Sequence, residues 1–183
     1  CLCCSIRGDL PKTIERLIRK NIRNEINFER IVIETTGLAE PGPIMQTLLL
    51  DNVLASNTQL DGIVTVADAV NGSQTLDAQF EAVSQIALAD LVILSKTDIA
   101  LPKQIQDFEN RLRSINPTSK IIRSIYGDGI QDKLWGLNAL KEKSNYNDVL
   151  NWTTGINPKL SELKNLSGLA PAKIISKPAF NHD

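Results

Sequence analysis

Beyond its fourth residue this chain of 183 residues contains no cysteine; Cys1-Leu2-Cys3-Cys4 holds all three. A disulfide-stapled scaffold is thereby excluded, because bridges between thiols this close would need strained geometry. Long apolar runs are missing as well. No stretch approaches the roughly 20 apolar residues that span a bilayer, so no membrane segment is expected. Nor is there an excess of either charge: 20 basic and 21 acidic residues leave a formal net charge of -1. That balance gives no global electrostatic reason to bind nucleic acid. A local basic cluster, Arg16, Arg19, Lys20 and Arg23, reads as a solvated helix face. Histidine occurs once, as His182 beside the C-terminus, where a surface role is expected.

What is present is ordinary in bulk and unusual at one end. A hydrophobic share of 42% and a charged share of 22% describe a globular chain with a full core. Thiolates at C-x-C-C spacing can converge on one soft cation such as zinc or copper(I), with a fourth ligand still to be found. An odd number of cysteines without a visible signal segment points to the reducing cytoplasm, where thiols stay free for metal. The first residue is cysteine and not methionine, which reads as a processed or shortened chain.

Along the sequence, apolar runs of strand length alternate with helical patterns, the mark of βαβ units and a mainly parallel sheet. Ile14, Leu17, Ile18, Ile22 and Ile26 recur at helical spacing after Pro11, which suits a first turn. Ile31-Val32-Ile33 reads as a buried strand, Ile44 to Leu50 as a short helix, and Ile63 to Val66 as a second strand. A helix around Phe80 to Leu88 precedes strand Leu91 to Leu94, and a helix entered at Pro102 carries Ile105, Phe108, Leu112 and Ile115 on one face. Ile121 to Ile125 makes a fourth strand. From about residue 144 the composition turns to Asn, Ser, Lys and Pro, so residues 144–183 read as a linker or the start of a second domain. Trp135 and Trp152 read as packing residues.

Ligands of open parallel sheets bind beyond the carboxyl ends of the strands, so the residues there are the candidates for chemistry. Glu34-Thr35-Thr36-Gly37 follows the first strand. Its carboxylate can reach a hydrated magnesium ion, and its glycine N–H can approach a terminal phosphate. Taken alone, an acidic cap and a turn glycine explain it equally well. Ser95-Lys96-Thr97-Asp98 follows the third strand and is spaced like the guanine-reading N-K-x-D loop of GTPases. There a carboxylate at Asp98 accepts hydrogen bonds from guanine N1–H and its exocyclic amine, a donor pair adenine lacks. The Lys96 stem can cover the base. Ser95 replaces the usual asparagine. Asp68, after the second strand, reads as an acidic helix cap.

Taken together, Cys1-Leu2-Cys3-Cys4, Glu34-Thr35-Thr36-Gly37-Leu38-Ala39-Glu40-Pro41 and Ala89-Asp90-Leu91 through Asp98 resemble the CobW-type GTPases, with their HypB- and UreG-like kin. Arg111 through Pro117 resembles the segment before that family's last nucleotide-domain strand. The resemblance implies an α/β, P-loop NTPase-like three-layer fold, incomplete at the N-terminus, with residues 1–143 as a partial GTPase domain. It implies a cytoplasmic metallochaperone that couples binding and hydrolysis of GTP to delivery of zinc, or cobalt, to a client protein. Cys1, Cys3 and Cys4 would then be the metal thiolates, Glu34 the magnesium-linked acid, Gly37 the γ-phosphate sensor, and Ser95, Lys96 and Asp98 the guanine loop. A homodimer stays open, and no nucleic acid or membrane partner is implied. No G-x-x-x-x-G-K-[ST] occurs, so the phosphate loop is expected upstream of Cys1, and this stretch alone is expected not to hydrolyse GTP. The competing reading is a thiol-based metal-binding module without nucleotide chemistry.

Overall fold

The computed structural model describes the backbone of residues 2–137 and 170–176, and side chains from residue 9 to residue 137. The chain forms two compact units. The first includes residues 2–31 and 42–61; the second includes Val32–Pro41 and Gly62–Leu137.

In the first unit, helix α1 (Leu2–Ile22) lies against α3 (Asn52–Asn57). Ile14, Ile18 and Leu54 are buried, as the helical spacing requires. Two details differ from the sequence expectation. The helix begins well before Pro11 and runs through it. Proline removes one backbone hydrogen bond, a cost of about 3 kcal/mol that the turns on either side sustain here. The apolar stripe also ends early. Asn24 turns left-handed at φ 57. Arg23 N–H reaches Arg19 O and Glu25 N–H reaches Lys20 O, closing the helix in a Schellman-like turn. Ile22 is therefore 69% exposed, and Ile26 lies beyond the helix. Arg16, Arg19, Lys20 and Arg23 are all exposed, as a solvated face should be. Helix α2 (Pro41–Leu50) starts at a proline and covers the expected short helix. Asp51 caps α3 by accepting from the Val53 and Leu54 N–H groups.

The second unit holds most of the α/β part. Strands β1 (Ile31–Thr35), β2 (Thr58–Asp68), β3 (Leu91–Ser95), β4 (Lys120–Arg123) and β5 (Ala170–Ser176) form one sheet in the order β1-β5-β2-β3-β4. β2, β3 and β4 run parallel, with Asp68 opposite Ser95 and Leu94 opposite Arg123. Helices α4 (Gly72–Ala78), α5 (Phe80–Ala87) and α6 (Pro102–Ile115) supply the crossovers. Leu76, Ile86, Val92, Leu94, Phe108 and Leu112 are buried together between helices and sheet. Helix α4 has no strong apolar period and was not legible as a helix. Residues 170–176, expected to be linker or second-domain sequence, form a strand of this sheet. β1 departs from the expected buried strand: Val32 is 48% exposed. Its place at one end of the sheet explains this, since an edge strand is covered on fewer sides. The fourth strand ends at Arg123 rather than Ile125: Ser124 N–H makes the last bond to β3, on Leu94 O, and its hydroxyl already turns to Asp128 O in the loop.

Among the described residues no helix is long and apolar enough to cross a membrane.

Candidate functional site at the carboxyl edge of the sheet

Parallel register brings the ends of β2, β3 and β4 to one edge, and three short loops leave from it. The loop after β3 turns at once: Ile99 and Ala100 N–H groups donate to Lys96 O at 3.4 and 3.3 Å. Lys96 itself takes φ 57, a left-handed conformation that redirects the chain directly after the strand. The Ser95 hydroxyl donates to Ala67 O at 3.1 Å, so it ties the end of β3 to the end of β2. That is a structural use for the residue standing where GTPases have asparagine.

Asp68 is the centre of this edge. One carboxylate oxygen accepts from the Val70 and Asn71 N–H groups at 2.8 and 3.1 Å, shaping the turn that leads into α4. The other lies 2.7 Å from Lys96 Nζ. Burial pushes this carboxyl up, but the Lys96 ammonium and the two backbone donors outweigh it and hold it below its ordinary value of 3.8. Asp68 is thus not the helix cap expected from sequence, because α4 starts after Asn71 without a side-chain cap bond and the carboxylate holds the turn before it; its lysine contact is one that spacing alone did not show.

The loop after β4 supplies the other wall. Ser124 N–H donates to Leu94 O, and its hydroxyl donates to Asp128 O at 2.9 Å, closing the loop on itself. Tyr126 (φ 51) and Gly127 (φ 86) are both left-handed, and Tyr126 is 97% exposed. Between these loops lies a cavity of about 480 Å³. Val66, Ile93, Ile99 and Ile130 give it apolar surface; Asp68, Lys96 and Asp98 give it charge. A cavity with apolar faces and two carboxylates, of which Asp68 is already paired with Lys96, suits a flat, hydrogen-bonding base. Ser95, Lys96 and Asp98 all line it.

Glu34 and Gly37 are not among its walls. Glu34 is the fourth residue of β1, with an exposed side chain, and Gly37 lies in the loop that follows, where Ala39 N–H closes a turn onto Thr36 O at 3.0 Å. This loop is held by a residue that sequence reasoning passed over. Gln85 of α5 donates from Nε2 to Gly37 O at 2.8 Å and to Ala39 O at 2.9 Å. Its only sequence signal is an amide at an apolar position of an amphipathic helix. Cys1 lies outside the described residues, as do His182 and Trp152. Cys3 and Cys4 belong to the first turn of the α1 backbone. Among the described residues no three histidine, cysteine or acidic side chains form a metal-holding group. Trp135 is 38% exposed and so packs only in part.

A family model described as the CobW/HypB/UreG nucleotide-binding domain matches residues 1–123. The zinc-regulated GTPase metalloprotein activator 1 of Schizosaccharomyces pombe is 40% identical over 128 residues, 69% of this chain and 30% of that protein. The zinc chaperone YjiA of Escherichia coli is 35% identical over 128 residues, 70% of this chain and 40% of the relative. The crystal structure of Zn(II)-bound YjiA GTPase superposes with a TM-score of 0.62 at 34% identity, covering 67% of this chain and 38% of that one. The chain thus spans less than half the length of these relatives.

Proposed function

This chain belongs to the CobW/HypB/UreG nucleotide-binding family, and from that premise we propose that it carries the guanine-reading and metal-loading parts of a GTP-hydrolysing metallochaperone. The observation that carries the reading is the convergence of Asp68, Ser95, Lys96 and Asp98 on one cavity at the carboxyl edge of a parallel sheet. Asp98 accepts from guanine N1–H and the exocyclic amine. The Lys96 stem lies along the base while its ammonium stays with Asp68. Gly37 presents its N–H to the terminal phosphate. Glu34 is a hard oxygen donor of the kind magnesium favours and would be the residue that holds the ion. Magnesium, when bound, offsets phosphate charge. Residues 1–143 carry this nucleotide-handling part, and residues 170–176 add a strand to its sheet.

Zinc is the cargo, with cobalt the alternative. Cys1, Cys3 and Cys4 hold it as thiolates and release it to a client protein when the nucleotide state changes. The zinc-related names of relatives from yeast and bacteria support this choice. The protein works in the cytoplasm, where thiols stay reduced, and a homodimer is the assembly to look for.

Zinc and cobalt competition against a chromophoric chelator, on the full-length protein with GTP or GDP and magnesium, tests both halves. The expected result is tight binding that differs between nucleotides and disappears when Cys1, Cys3 and Cys4 are all replaced by serine. Equal affinity in every nucleotide state would remove the coupling and leave a metal-binding module.

A further inference from the structure

Helix α5 buries Ala82, Gln85 and Ile86, the i, i+3, i+4 face that packs on the sheet. An aliphatic residue would satisfy that position without further requirement. Gln85 instead places an amide there at 1% exposure. A buried amide costs a few kcal/mol unless its hydrogen bonds are made. Both Nε2 hydrogens are used on a single target, the carbonyls of Gly37 and Ala39. The backbone of the same residue is fixed in turn, because Thr65 Oγ1 on β2 donates to Gln85 O at 2.9 Å. A continuous set of bonds therefore runs from the central strand, through α5, to the loop after β1.

The loop has little else of its own. Within it, one hydrogen bond, from Ala39 N–H to Thr36 O, closes the turn, and Leu38 is 57% exposed. Fixing the carbonyls on either side of Leu38 fixes two peptide planes of that turn and so restricts the dihedrals of Gly37, the residue with the fewest intrinsic restraints. Helix α5 also leads directly into β3, whose end carries Ser95, Lys96 and Asp98.

We propose that Gln85 is a positioning residue that pre-sets the Thr36–Glu40 loop for the γ-phosphate of GTP, acting through Gly37 and touching no nucleotide itself. The inference rests on the GTP-hydrolysing function proposed above. Preorganisation of a phosphate-facing N–H contributes to the transition state more than to ground-state binding. Loss of Gln85 therefore lowers kcat and leaves KM nearly unchanged.

The test uses the full-length protein with Gln85→Met, which keeps length and volume and removes both donors, beside Thr65→Val, which removes a hydrogen bond to the same helix without touching the loop. For Gln85→Met we expect kcat for GTP to fall about tenfold or more, with KM and GDP affinity within about threefold of wild type. Hydrogen exchange of the residue 36–40 amides should be faster in Gln85→Met and unchanged in Thr65→Val. If Gln85→Met does not fold, Gln85→Asn carries the same readouts, since its amide is one methylene too short to reach both carbonyls. Unchanged kcat and unchanged exchange, or equal losses of activity in both variants in step with thermal stability, would overturn the proposal. Absence of GTP hydrolysis by the wild type would instead bring down the function reading, and this proposal with it.

Discussion

Lys96 and Asp68 meet across the ends of neighbouring parallel strands, with Nζ 2.7 Å from Oδ2, and the pair forms part of the wall of the candidate base cavity. The lysine comes from the loop that resembles a guanine reader, and the aspartate from a turn that the sequence marks only as a cap. The pair anchors the lysine side chain at the wall of the cavity.

Asp68→Asn keeps an oxygen for the Val70 and Asn71 N–H groups and removes the ion pair. Because Lys96 is 41% exposed, solvent screens the pair, and its loss should cost only about 0.5–1 kcal/mol near neutral pH. The Asp68 carboxyl titrates below 3.8 in the folded protein. A depressed acid contributes stability that is complete above its unfolded value and disappears as pH falls through the folded one. Thermal melts of wild type and Asp68→Asn should therefore differ at pH 7, with the gap starting to close as pH falls below 3.8 and gone only once pH has passed the lower folded-state value. A difference that persists at the acid end would assign the effect to something other than the carboxylate.

Asp98→Asn tests the guanine reading. The carboxylate accepts two hydrogen bonds, whereas an amide offers an acceptor and a donor, so guanine loses one contact and xanthine, with a carbonyl in place of the amine, gains one. A charged hydrogen bond is worth about 1.5–3 kcal/mol. Fluorescent GDP should bind the full-length variant about 10- to 100-fold more weakly, with xanthosine diphosphate improving. Equal affinity of wild type and variant for GDP would place the base elsewhere.

Gly72 and Gly127 should fail for opposite reasons. A Cβ at Gly72 would sit 2.1 Å from Phe108 Cζ, inside a buried ring that cannot move without disturbing α6. Overpacking of this kind costs about 1–3 kcal/mol, so Gly72→Ala should lower the melting temperature clearly. At Gly127 there is open space, but φ is 86. Gly127→Ala should cost only about 1–2 kcal/mol through left-handed strain, and it should weaken nucleotide binding because the residue lines the cavity. Calorimetry and nucleotide titration on both variants separate the two effects.

Much of this chain could be read without coordinates. The alternation of strand and helix, the buried run of β3, the entry of α6 at Pro102 and the placement of Ser95–Asp98 after a strand all follow from local rules of side-chain period, proline geometry and hydrophobic run length. Those rules act within a few residues, and the fold agrees with them there. Tertiary structure decided the rest. Strand order made β1 an edge and exposed Val32. Register set Asp68 opposite Ser95 and so within reach of Lys96. Packing brought Gln85 to Gly37, 48 residues away in sequence. No local pattern encodes such pairs, because each depends on which crossover lays one element against another, and that choice is settled by burial of the whole apolar face rather than by any one segment.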